Sequence, residues 1–199
     1  MTMKQRVTNK EIIQERAFET RKKILLAALE IYAIKGYHKA TVDEIAEHAG
    51  VSTGVAYRYF KNKKELLLMA LEYGFSKIGE MAGVKVTDIF GGELEKALIA
   101  FERIHIEYRD IHEELEGLRH SDPDVGRLYE TFTKKAIGEV FQALPMEIQK
   151  KPNALENLYL AIGIMENYCH SYMHQTMSEA QLRYMRKKTI ELTENLLKE

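Results

Sequence analysis

The chain has 199 residues, a formal net charge of −1 and a single cysteine, Cys169. That length allows one or two domains with real cores, and one cysteine excludes an intrachain disulfide and suits a reducing compartment. No apolar run approaches a membrane span and the start, MTMKQRVTNKE, lacks the apolar stretch of a secretory signal, so a cytoplasmic protein with no membrane partner is expected.

The charge is unevenly placed. Residues 1–66 carry 13 Lys and Arg against 8 Asp and Glu, a net +5, and the remainder carries 16 against 22, a net −6. A basic head on an acidic body suits a small DNA-binding unit joined to a body that does not touch DNA.

Residues from Met1 to about Ile13 are polar, with Lys4, Arg6 and Lys10, and read as a basic arm along phosphates or as a frayed terminus. A first helix is predicted from near Gln14 to Lys35, with Ile24, Ala27, Ala28 and Ile31 at i, i+3, i+4 and i+7 and Gly36 as its stop. The stretch TVDEIAEHAGVSTGVAYRYFKNKKE, Thr41 to Glu65, is the one around which the chain is organised. Thr41-x-x-Glu44 is a capping box, Ile45, Ala46 and Ala49 give a small apolar face, and Gly50 ends the helix. Val51 plugs the turn, and Ser52 is placed to cap a short helix carrying Thr53, Gly54, Tyr57, Arg58 and Tyr59. Asn62-x-x-Glu65 opens another helix. Capped helix, glycine turn and a short polar, aromatic helix match a helix-turn-helix, whose second helix enters the DNA major groove.

The body reads as helices throughout, so the fold class is all-α. A fourth helix is predicted from Lys63 toward Ala82, and glycines at 83, 91 and 92 bracket a loop. The next helix opens near Glu93 and places Leu94, Ala97, Leu98, Phe101, Ile104, His105 and Tyr108 on one stripe, with breaks expected at Gly117 and at Ser121-Asp122-Pro123. Val125, Leu128, Tyr129, Phe132, Val140, Phe141 and Leu144 give a helix ending before Pro145. After Pro152 a helix rich in Leu, Ile, Met and Tyr is apolar nearly all round, so it is buried on more than one side. The last helix, from about Ser178, carries Leu182, Met185, Leu192 and Leu196. Two such helices can form half of an intermolecular four-helix bundle, a self-complementary two-fold contact.

The run Ile24-Leu25-x-Ala27-Ala28-x-x-Ile31-Tyr32-x-x-x-Gly36-Tyr37, followed by Thr41-Val42-x-Glu44-Ile45-Ala46, resembles the N-terminal domain of the tetracycline-repressor (TetR) family. Ala49-Gly50-Val51-Ser52-x-Gly54-x-x-Tyr57-x-Tyr59-Phe60-x-Asn62-Lys63 extends the match across the first third of the chain. Thr53 and Val55 depart from the Lys or Arg and the Thr that family members often carry there. The resemblance implies a helix-turn-helix DNA-binding domain over residues 1–66 and a helical effector-binding and dimerisation domain over residues 67–199. It also implies a homodimer on a pseudo-palindromic double-stranded operator, released by a small-molecule effector. The matching family positions contact the operator at Thr41, Ser52, Thr53, Gly54, Tyr57, Tyr59 and Lys63. Arg58 is added from its place on the reading helix, within reach of base or phosphate.

Effector candidates come from polar groups among apolar ones: His105 and Tyr108 on the inner stripe, Tyr129, and Glu166 with Cys169 one turn from it. Ordinary core hydrogen bonding accounts for each singly. His170 and His174 are i, i+4 beside Cys169, a spacing that can share a metal, and His105 and His112 lie two turns apart. No CxxC or HExxH pattern is present, so neither metal nor cofactor is expected. No catalytic arrangement appears, so an enzyme is not expected. An effector-independent regulator or activator, and a haem- or metal-binding helical protein, remain as alternatives.

Overall fold

The computed structural model describes residues 9–82 and 94–198, with side chains over 12–77 and 94–198. The expectations for Lys4, Arg6 and the loop at Gly83, Gly91 and Gly92 lie outside the described residues. Among those described there are ten helices and no strand. The chain divides into two compact units, Met1–Gly74 and Phe75–Glu199, a boundary eight residues beyond the one expected after Leu66.

In the first unit α1 (Asn9–Lys35) packs on α2 (Val42–His48) and α3 (Thr53–Tyr59), and α4 (Lys63–Ala82) follows. α1 starts five residues before the expected Gln14, and no Gly or Pro interrupts it between Asn9 and Gln14. The stripe Ile24, Ala27, Ala28 and Ile31 is buried, as are Ile45 and Ala46 of α2, Ala56 of α3 and Leu66, Leu67, Ala70 and Leu71 of α4. Thr41 closes its capping box: its side chain accepts from the Glu44 N–H at 3.2 Å, and the Glu44 carboxylate accepts from the Thr41 N–H at 3.0 Å. Gly50 turns the chain at φ +70°, a conformation that costs a Cβ-bearing residue about 1 kcal/mol or more.

In the second unit α5 (Leu94–Glu107), α6 (Arg109–Ser121), α7 (Pro123–Ala143), α8 (Met146–Gln149), α9 (Ala154–Met173) and α10 (Glu179–Lys198) come after the end of α4. α9 is the hub, packing against α5, α7, α8 and α10. Leu94 and Leu98 of α5 meet Met165, Tyr168 and Cys169 of α9 in one cluster, with Phe101, Tyr172, Met185 and Ile190 against it. Ile137, Leu144, Leu158 and Leu197 form another. Asp122 caps α7 by accepting from the N–H groups of Asp124 and Val125 at 2.9 and 3.3 Å, with Pro123 in the first turn.

One expectation is corrected here. The break after α5 falls at Tyr108, not Gly117, which lies inside α6. Tyr108 leaves helical geometry (φ −110°, ψ 20°) while Tyr108 N still bonds Ile104 O and His112 N bonds Tyr108 O, both at 2.9 Å, so the helix kinks with no Gly or Pro to mark it. On α10 the side chains buried within the chain are Thr189, Thr193 and Leu197, while Leu192, expected in a seam between chains, is exposed.

Candidate nucleic-acid interface and a polar cluster in the second unit

α3 presents polar and aromatic side chains because its only fully buried residue is Ala56. Tyr57 is 52% exposed, and Ser52, Gly54 and Arg58 are exposed beside the half-buried Thr53 and Tyr59. Ser52 holds the N-cap position with an extended backbone, yet its side chain makes no capping bond, so the expected cap is positional only. A Cβ built on Gly54 meets nothing within 4 Å, so the protein itself does not require glycine there.

Around α3 two further candidates are held in place. The exposed Thr41 uses its oxygen as an acceptor within the capping box, and its hydroxyl also faces the Glu44 carboxylate. Lys63, in the first turn of α4, donates to the His38 carbonyl at 3.2 Å and stands 4.6 Å from the centroid of the Tyr37 ring. Partial burial lowers the Lys63 ammonium pKa, with the Glu44 carboxylate opposing that shift. The box at Asn62 is displaced by one residue. Asn62 accepts from Glu65 N at 2.9 Å, whereas the Glu65 carboxylate accepts from Lys61 N at 2.5 Å.

The second unit brings together residues far apart in sequence. His105 Nδ1–H donates to the Phe101 carbonyl at 2.8 Å, which directs Nε2 to Glu166 Oε2 at 3.0 Å. His170 Nε2 lies 3.6 Å from the same carboxylate oxygen. His112 joins them, its ring centroid 5.0 Å from that of His105 and 4.8 Å from that of His170. Burial opposes the His105 imidazolium, but the hydrogen bond and charge of Glu166 and the Phe101 carbonyl outweigh it and raise the pKa. Burial likewise pushes the Glu166 carboxyl up, and the imidazoles of His105, His112 and His170 more than reverse this. His112 is lowered to about 4 by burial and by the neighbouring His105 and His170.

The effector candidates separate. Tyr129 lies under the Arg119 guanidinium, 4.7 Å from its ring centroid, and burial and then the charge of Glu166 raise its phenol pKa. Tyr108 donates to its neighbour Glu107 at 3.4 Å. Cys169 is fully buried in the Leu98 cluster, and burial, then Glu166 and Glu102, raise its thiol far above its usual range. His174 lies 3.6 Å from Glu113, not in the His105 cluster.

Sequence reasoning passed over Glu102, the buried acid of α5. Its Oε1 accepts from the Tyr168 hydroxyl at 2.7 Å, and its Oε2 from Arg186 at 3.2 Å, tying α5, α9 and α10 together. The signal was present: Leu94, Leu98 and Glu102 succeed one another at i+4 on the buried face.

Comparison with known proteins bears on both units. Residues 24–70 match the family described as bacterial regulatory proteins, tetR family. The HTH-type transcriptional activator FasR of Mycolicibacterium smegmatis is 48% identical over 54 residues, 27% of this chain and 25% of that protein. The fatty acid metabolism regulator protein of Bacillus subtilis is 49% identical over 45 residues, 23% of each. The matched segment thus spans about a quarter of these curated relatives. The crystal structure of a TetR-family regulator from a Rhodococcus species superposes with a TM-score of 0.70 at 20% identity, covering 90% of this chain and 98% of that one, a likeness of fold. Residues 24–70, the helix-turn-helix, thus match the tetR family of bacterial regulatory proteins, and the chain as a whole has the fold of the Rhodococcus regulator.

Proposed function

We propose that the protein is a homodimeric transcriptional repressor whose α3 reads an operator and whose second unit binds the effector that releases it. The observation that carries the reading is α3 itself: Thr53, Gly54, Tyr57 and Arg58 lie on it, with Thr41 and Lys63 at flanking helix starts as phosphate partners. Ser52 and Tyr59 complete the contact set. The short helix buries little else, so its stability comes from α1 and α2.

Dimerisation is assigned to the outer faces of α9 and α10. They leave apolar side chains in a groove of about 450 Å³ that includes Leu160 (58% exposed), Tyr184 and Leu192 (47% exposed). Exposed apolar groups at this density mark an interface. A two-fold pairing of α9 and α10 makes a four-helix bundle, and reading successive major grooves needs two copies of α3 about 34 Å apart. An effector then acts by favouring a conformer in which that spacing fails.

A second reading, an activator on the same head, is favoured by the name of the M. smegmatis relative, since the matched segment binds DNA without fixing the sign of regulation. The test is selection of duplexes by the purified protein, then anisotropy titration at several salt concentrations. A pseudo-palindromic site bound by a dimer is expected, and Lys63→Ala is expected to flatten log K against log salt by about one unit per subunit. Failure to enrich any duplex, or an unchanged slope, overturns the DNA assignment or that of Lys63 respectively.

A further inference from the structure

The strongest unabsorbed feature is the convergence of three imidazoles on one carboxylate. His105 comes from α5, His112 from α6, and Glu166 and His170 from successive turns of α9. Their ligand atoms all lie within 4.8 Å of one another. We propose that this cluster is a binding site for a divalent transition-metal ion of the zinc class, with His105, His112, His170 and Glu166 as its N₃O ligand set. This deepens the reading of the second unit as the effector-binding one, and rests on that reading only for its consequence at the operator.

Three observations converge. First, the ligand types are those that borderline divalent ions select, imidazole nitrogens with one carboxylate oxygen. Second, the tautomer of His105 is fixed from behind. Its Nδ1–H is given to the Phe101 carbonyl at 2.8 Å, leaving Nε2 as the inward nitrogen. That backbone-carbonyl brace is the usual support of a metal-bound histidine. With Nδ1 protonated, neutral Nε2 brings a lone pair to within 3.0 Å of Glu166 Oε2, so a cation must lie between them. A proton serves, and so does a metal ion.

Third, hydrogen bonding accounts for His105 and leaves the placing of His112 unexplained. The His112 ring stands near both other imidazoles rather than facing water alone. The burial is graded, His105 buried and the other three half-buried, which excludes most solvent while leaving an approach for an ion. Ligand atoms around a tetrahedral ion with bonds near 2.0–2.1 Å stand about 3.4 Å apart. The His105–Glu166 and Glu166–His170 separations, 3.0 and 3.6 Å, already bracket that value. The longest, 4.8 Å, closes by side-chain rotation of the half-buried rings. Ring centroids only 4.8–5.6 Å apart leave room for an ion and none for a tetrapyrrole.

The test uses the full-length protein, treated with chelator and then titrated with Zn²⁺ under competition from a coloured indicator, with bound metal counted by elemental analysis. One ion per chain is expected. His112→Gln and His170→Gln are each expected to weaken uptake by more than the ~10–100-fold lost on removing a second-shell partner. His174→Gln and His120→Gln, outside the cluster, are expected to leave it within about twofold, well short of that ~10–100-fold loss. Circular dichroism confirms that each variant is helical. Independently of any variant, Co²⁺ added to the wild type is expected to give the intense visible bands of a tetrahedral site. No stoichiometric uptake, uptake that survives either ligand substitution within tenfold, an equal loss in His174→Gln, or a pale octahedral Co²⁺ spectrum each overturns the proposal. All these readouts are taken without DNA, so failure of operator binding would leave them intact.

Discussion

Glu102→Ala tests how the second unit is held together. The Glu102 carboxylate is 8% exposed and joins two groups of different character. Toward α9 it accepts from the buried Tyr168 hydroxyl at 2.7 Å. Burial first, and then this bond and the Glu102 charge, push the phenol pKa far up, so the O–H stays a donor at all working pH values. Removing the acceptor leaves that donor unpaired in the core, which costs about 1.5–3 kcal/mol for a bond to a charged group. Toward α10 the partner Arg186 keeps 32% of its side chain in water. Solvent therefore takes over much of that interaction, and its loss costs about 1 kcal/mol. The two together predict ~3 kcal/mol for Glu102→Ala, whereas Glu102→Gln keeps an acceptor for Tyr168 and costs ~1 kcal/mol. Urea unfolding monitored by far-ultraviolet circular dichroism measures both, at one fixed chain concentration because association contributes to stability. Tyr168→Phe closes the cycle, with an expected coupling to Glu102→Ala of ~1.5–3 kcal/mol. Equal destabilisation by the Ala and Gln variants, or a coupling near zero, refutes this account of the triad.

Three further outcomes are expected. Gly54→Ala leaves the fold as stable as wild type or better by up to about 1 kcal/mol, since Ala favours a helix and its Cβ meets open space. The same change weakens operator affinity in anisotropy titrations if the backbone approaches the groove at Gly54, and unchanged affinity would remove that contact. Leu160→Asp with Leu192→Asp puts carboxylates on the exposed α9 and α10 faces, and sedimentation is expected to show monomers that no longer hold the operator. A variant that stays dimeric moves the interface elsewhere. Cys169, the one thiol, is expected to react with iodoacetamide at pH 8 far more slowly in the native protein than in urea, because burial keeps it protonated and covered. Native labelling at the rate of a free thiol would place Cys169 on an open pocket.

The first unit was legible because its signals are local. Thr41 and Glu44 are three residues apart and declare their box in one turn, and Gly50 announces the left-handed turn at the residue that makes it. The stripe from Ile24 to Ile31 is a single-helix period that names the buried face without knowledge of what covers it. Where a local signal has two solutions, the sequence left both open. Ser52 fits an N-cap, yet the backbone alone starts α3, because the Ser52 carbonyl accepts from Val55 and Ala56 while the hydroxyl stays out of the cap.

The second unit hides its chemistry in pairings across long stretches of chain. Glu102 meets Arg186 across 84 residues, and His105 meets Glu166 across 61. Helical period places Glu102 and His105 on a buried face but cannot say what faces them, since any of the other helices could pack there. The i, i+4 spacing of His170 and His174 can share an ion, the one pairing that adjacent turns display in sequence, yet without a CxxC or HExxH pattern no metal was expected. In the structure His174 stands beside Glu113, and His170 keeps company with Glu166, its other neighbour at that spacing. α5 ends and α6 starts at Tyr108 without Gly or Pro, and across that break the His112 ring stands 5.0 Å from the ring of His105. The break between His105 and His112 has no residue signature, so the sequence could not tell three scattered core polar groups from a single cluster.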